Sequence, residues 1–240
     1  MFSTKTQFTA GVAAVLTLFI AQVALSEIQS DEFNSNSFTA PWEWWNEPAG
    51  NWSLAGGELT IDASTNANLW AANDAHFLYQ HSTGDFDVET HLSATWDTAS
   101  MVAGVVAQSV ADDNWVTLKL WGRGGDSVIQ FQGKEEALGP DTAGQPVGEW
   151  SLFMRLRRNG DTYTSFTKQN AGDAWVEYAV ADKALTGPLY VGIYAGVADP
   201  TGTLTAAFDF VRDALGPEPG TAVDAKGKVT TTWAALKTAR

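Results

Sequence analysis

The chain contains no cysteine. That excludes disulfides, thiolate metal sites, thiol nucleophiles and cysteine-attached haem, so packing alone must hold the fold. Histidine is scarce: His76, His81 and His91 are the three in the sequence, and their spacing supports no zinc or iron site. Basic residues are few, 14 against 28 acidic ones, for a formal net charge of -14. Such a surface repels nucleic acid and anionic membranes. It suits neutral ligands, cations such as calcium, and solubility. A phosphate loop is also missing, because "GRGGDS" (122–127) lacks the Lys-Ser/Thr that would follow. No "GxSxG" nucleophile elbow occurs.

Long hydrophobic runs are absent except at the N-terminus. There "AGVAAVLTLFIAQVAL" (10–25) follows the lone charge Lys5 and leads into Ala24-Leu25-Ser26. The run falls short of the roughly 20 residues a spanning helix needs. Residues 1–26 therefore read as a signal peptide cut after Ser26. The expected location is secreted or periplasmic, with no membrane span after cleavage.

What the sequence has in quantity is tryptophan, 11 in all, four of them in "PWEWWNEPAGNW" (41–52). It also has β patterning. Alternating runs lie at 86–95, 101–108, 114–121, 127–132, 150–158, 161–168, 174–180, 189–196 and 204–211, with weaker ones at 58–63 and 76–80. Gly, Asp and Asn clusters separate them, and "RNGD" (158–161) is a strong hairpin signal. Many short strands without a helical period predict an all-β, two-sheet antiparallel sandwich. The predicted domain covers residues 27–213. Beyond it, 214–240 form a Pro/Gly linker and a basic tail, which could dock a protein partner through Trp233 and Leu236.

The order of "DEFN", "PWEWWNEPAGNWSLAGGELTI", "GDFDVETHLSA", "VAGVVAQSVADDNWVTLKL", "GPLYVGIYAG" and "FDFVRD" resembles the concanavalin A-like lectin/glucanase superfamily. It is most similar to stand-alone bacterial domains and to the C-terminal domain of β-xylosidases. The resemblance spans about residues 31–213. It implies a jelly roll with one concave sheet and sugar-related biology, though fold alone does not fix function. Trp42, Trp44, Pro48 and Trp52 match the family pattern; Trp45 is extra.

Two chemistries follow. Sugar binding needs aromatic platforms flanked by polar partners. In "NWVTLKLW", Val116, Leu118 and Leu120 take the core face. Trp115, Thr117, Lys119 and Trp121 take the other. Tyr190 and Tyr194 alternate in the same way against Leu189, Val191 and Ile193. If the strands share one sheet, Trp115, Trp121, Tyr190, Tyr194, Arg155, Glu89 and His91 line a single groove, with Trp45 beside it. The expectation is a non-catalytic, lectin-like domain for a polysaccharide or glycan. Glycan cleavage is the alternative. Laminarinase-type relatives carry a Glu-x-Asp-x-(x)-Glu motif, and the nearest approach is Asp85-Phe86-Asp87-Val88-Glu89, with Asp in the first place. A surface assembly protein is the third possibility. The resemblance also implies a structural calcium between the first and last strands, for which Asp31 and Asp209 are the candidates.

Overall fold

A computed structural model of the chain describes residues 28–64, 69–70, 74–97, 100–123, 125–142, 144–146, 149–199 and 201–216. The expected signal peptide and basic tail lie outside the described residues. Among those described, every regular element is a strand: β1 (Glu43–Trp45), β2 (Trp52–Ala55), β3 (Glu58–Ser64), β4 (His76–Ser82), β5 (Phe86–Trp96), β6 (Met101–Ser109), β7 (Trp115–Gly122), β8 (Asp126–Gly133), β9 (Glu136–Ala137), β10 (Gln145–Pro146), β11 (Glu149–Asn159), β12 (Thr162–Lys168), β13 (Val176–Asp182), β14 (Leu189–Val197) and β15 (Thr203–Asp213).

They form two antiparallel sheets. The first runs β1-β4-β14-β6-β7-β8-β10, with β9 also on β8; the second runs β13-β12-β11-β5-β15-β3-β2. The predicted β-sandwich is the observed fold. Each sheet buries one side of its pleat. Val116, Leu118 and Leu120 of β7, and Leu189, Val191 and Ile193 of β14, meet Phe86, Val88 and Leu92 of β5 and Leu152, Met154 and Leu156 of β11 in one core. The period of two in the sequence therefore sets which side of each strand faces the core.

Local chemistry fixes the connections. Gly160 takes φ +61 as the first loop residue between paired Asn159 and Thr162. That is where a type II′ turn places glycine. Gly192 has a different purpose. A Cβ there would lie 2.0 Å from the Leu78 carbonyl oxygen, so only glycine lets β14 approach β4 this closely. The N-terminal segment is pinned by Asp31. Its backbone bridges Val211 of β15 in both directions. Its buried carboxylate accepts N–H groups from Phe33, Thr39, Ala40 and the Trp42 indole.

The tryptophan-rich opening stretch divides between the two sides. Trp42, Trp44 and Trp52 pack against the main core, and Trp52 stacks on Phe38 at 5.5 Å. Trp45, one residue on from Trp44, turns to the outer face of the first sheet and meets Tyr190 at 5.9 Å. Strand alternation explains the split. Trp44 is thus a core residue, not a groove residue.

Candidate functional site

The single groove expected from the sequence is not formed. The outer faces of a two-sheet sandwich point in opposite directions. Trp45, Trp115, Trp121, Tyr190 and Tyr194 lie on the outer face of the first sheet. Glu89, His91 and Arg155 lie on the outer face of the second, on paired β5 and β11. The sequence showed which residues alternate outward, but alternation says nothing about which sheet a strand joins.

On the first sheet, Trp115 and Tyr194 are each 1% exposed. With Phe77, Tyr79, Val102, Val106, Leu69 and Ala75 they form a second, smaller core. Leu69 and Ala75, which lie between β3 and β4, pack into this cluster. The Thr117 hydroxyl donates to the Val105 carbonyl at 2.7 Å and lies 3.1 Å from the Tyr194 hydroxyl, and burial raises the Tyr194 pKa well above the usual phenol range. These two rings therefore have no face to offer a ligand. Tyr190 stays half-buried between Tyr79 at 4.1 Å and His81 at 5.1 Å. Tyr79 donates to Glu43, and its pKa is pushed up to about 12, first by burial and then by the Glu43 charge.

Beside this cluster the same face opens into a pocket of about 260 Å³. Trp70 and Trp121 are its aromatic walls. Lys119, Gln130 and Gln132 supply polar groups, and Ser100, Val102 and Ala198 complete the lining. The register explains the convergence: Lys119 of β7 pairs with Gln130 of β8, and Thr117 with Gln132. All three polar side chains belong to the outward set of their strands. Lys119 donates to the Gln132 amide oxygen at 2.5 Å and lies 5.9 Å from the Trp115 ring centre. Burial pushes its pKa down to about 8, opposed only by the more distant Asp141. Gln130 donates to Asp141 at 3.1 Å. Arg123 sits on the Trp121 ring and pairs with Asp126 and Asp141. The arrangement suits a small polar ring with an apolar face: two indoles to pack against it, and amide and ammonium groups to meet its hydroxyls.

Of these residues, sequence reasoning named Trp121 as a site residue and missed Trp70, Gln130 and Gln132. It placed Lys119 on the outward face without assigning it. The signal for the glutamines was present, since "SVIQFQ" alternates Ile129 and Phe131 inward with Gln130 and Gln132 outward.

The second sheet's outer face carries a charged lattice. Asp87 is buried, and both its oxygens accept guanidinium N–H groups, two from Arg155 at 2.5 Å and one from Arg157 at 2.7 Å. Glu89 lies 3.9 Å from Arg212, which is itself clamped by Glu32. Asp85 accepts the Gly160 N–H. The strand therefore does present Asp85, Asp87 and Glu89 on one side. Asp87, however, is buried, and both its oxygens are held by two arginines.

His91 Nδ1 meets Asp209 at 2.6 Å, and its Nε2 meets the Ser151 hydroxyl at 2.8 Å. These are the spacings of a Ser-His-Asp relay. Ser151, however, sits inside a ladder whose register with β5 is unbroken from Glu149↔Thr95 to Arg158↔Phe86. The sharp strand-to-helix turn that exposes a nucleophile and gathers oxyanion N–H donors is not present there.

The donor sets do not fit the expected calcium. A cation needs bare oxygens, whereas the Asp31 carboxylate faces four N–H groups. Asp209 is held by His91. Among the described residues no group of three His, Cys, Asp or Glu converges.

The fold is a concanavalin A-like β-sandwich with an aromatic pocket on its first sheet. The sequence matches the β-xylosidase C-terminal concanavalin A-like domain over residues 30–212, and the chain belongs to that family. A GH43 protein from Bacillus licheniformis is 19% identical, with a TM-score of 0.61 over 77% of this chain and 38% of its own. A xylan β-1,4-xylosidase from Bacillus halodurans is 16% identical, with a TM-score of 0.57 over 78% of this chain and 39% of its own. A functionally unknown protein from Saccharomyces cerevisiae is 15% identical, with a TM-score of 0.55 over 73% of this chain and 97% of its own. These likenesses show the fold. The chain thus spans well under half the length of the two bacterial proteins. The search of curated proteins gives no match.

Proposed function

We propose that the domain is an exported, non-catalytic glycan-binding module, and that the pocket between Trp70 and Trp121 is its binding site. The observation that carries this is the pocket itself: aromatic walls over a polar base of Lys119, Gln130 and Gln132, on a face not used by the main core. Sugar rings bind in this way, with C–H faces on indoles and hydroxyls on amides. The family membership supports a polysaccharide as ligand. The name of the Bacillus halodurans relative makes xylan the first to try. The commitment of Asp87 to Arg155 and Arg157 argues against cleavage by the β5 carboxylates.

The test is binding of xylan and its oligosaccharides to the wild-type protein and to Trp121→Ala, by calorimetry. The variant is expected to lose at least 10-fold in affinity, as removal of a stacking ring at a binding centre does. Unchanged affinity in Trp121→Ala, or no binding across a broad glycan panel, would overturn the reading.

A further inference from the structure

The base of the pocket is more specific than a neutral sugar requires. Lys119 is 6% exposed, so its ammonium is almost wholly withdrawn from bulk water. A buried ammonium normally keeps a carboxylate beside it, because desolvating an unpaired charge is costly. Lys119 has none. Among the described residues its side chain makes one hydrogen bond, to the neutral Gln132 oxygen, and no ion pair. Asp141, the nearest acid to act on it, is engaged by Arg123 and Gln130.

The chain is strongly acidic, with 28 Asp and Glu residues. Among the described residues it nevertheless places no ion-pair partner on this buried cation at the floor of a pocket. Two of the three Lys119 N–H groups have no hydrogen-bond partner among the described residues. Gln132 uses its oxygen for Lys119, and its amide N–H groups take no acceptor among the described residues. Two donors therefore meet at the base, one charged and one neutral. A planar group with two acceptor oxygens and one negative charge complements them. The walls are indoles, which suit the face of a pyranose ring and not a bare ion.

We propose that this pocket selects an acidic sugar, a hexuronic acid residue of a glycan, whose carboxylate would seat on Lys119 Nζ and Gln132 Nε2 while its ring packs between Trp121 and Trp70. The proposal rests on the glycan-binding reading and adds the charge of the ligand to it. The ligand supplies the counter-ion that the fold omits. Discrimination against neutral sugars then comes from the cost of leaving Lys119 unpaired.

The experiment is calorimetry on the full chain with three probes. The first is a xylo-oligosaccharide bearing one glucuronic acid. The second is the same compound after reduction of its carboxyl to a primary alcohol. The third is inorganic sulfate as competitor. The acid form is expected to bind at least 10-fold more tightly than the reduced form, and sulfate is expected to compete weakly. Lys119→Gln, which keeps a polar group beside Gln132, is expected to bind both sugars alike. Equal affinity of the two sugars for the wild-type protein would overturn acid selection while leaving glycan binding standing. Displacement by sulfate as effective as that by the sugar would also overturn it, in favour of a plain anion site. If neither sugar binds, both this proposal and the glycan reading fall. The wild-type comparison decides the matter even if Lys119→Gln folds poorly.

Discussion

Replacing Lys119 with methionine should make the protein more stable at neutral pH. A lysine ordinarily titrates near 10.5, and burial pushes this one down to about 8. That fall corresponds to about 3 kcal/mol by which the buried ammonium destabilises the folded state at pH 7. Methionine keeps the volume and removes the charge, but leaves the Gln132 oxygen without its donor, at a cost of about 1–2 kcal/mol. The net gain is about 1–2 kcal/mol, or roughly 2–8 °C in Tm for a domain of this size. The sign reverses with pH. Between about pH 8 and the unfolded value of 10.5 the unfolded chain holds a proton at this site and the folded chain does not. Wild-type stability therefore rises through that window relative to the variant. Urea unfolding of both proteins near pH 7 and near about pH 10 tests this, because the difference between them cancels every other titrating group. The variant should lead at the lower pH and fall slightly behind the wild type at the higher one. A destabilised variant at neutral pH, or a difference that does not change with pH, would refute the argument that Lys119 is buried without a counter-charge.

Other substitutions separate structure from binding. Trp115→Ala should cost about 3–5 kcal/mol of stability, since the ring is fully buried beneath the pocket, and it should be read by chemical unfolding. Trp121→Ala should change stability by less than about 2 kcal/mol while removing glycan affinity, which calorimetry and unfolding together would show. Asp31→Ala strips four N–H groups of their acceptor and should destabilise by at least about 3 kcal/mol, with added calcium giving no rescue. Asp87→Ala leaves Arg155 and Arg157 facing each other without their shared anion and should cost about 3–5 kcal/mol in unfolding free energy.

The strands were largely legible because their pattern is local. "NWVTLKLW" and "LYVGIYAG" state by alternation which side chains face the core, and the structure keeps both assignments. The short strands β1 and β2 were not legible, since three or four residues rich in tryptophan show no period. The site was only partly legible, because its geometry depends on sheet order. Nothing local tells that β5 and β11 belong to one sheet and β7 and β14 to the other, so Glu89, His91 and Arg155 were joined to aromatic residues on the far side of the molecule. Burial by Leu69 and Ala75 was equally invisible. Trp115 and Trp121 are the same residue type on the same face of one strand, yet Leu69 and Ala75 help bury the first and leave the second beside open space. Asp31 looked like a cation ligand because an acid near the first strand carries no mark of its partners; four backbone and indole N–H groups give it another purpose.

The most direct measurement is a nuclear magnetic resonance titration of the isotope-labelled protein with acidic xylo-oligosaccharide. Signals of the Trp121 and Trp70 indoles and of the Gln130 and Gln132 amides should shift together and saturate. Those of the opposite face, His91 with Phe153 stacked on it and Trp175 beside Arg155, should stay still. Shifts confined to that opposite face, or none anywhere, would contradict the account.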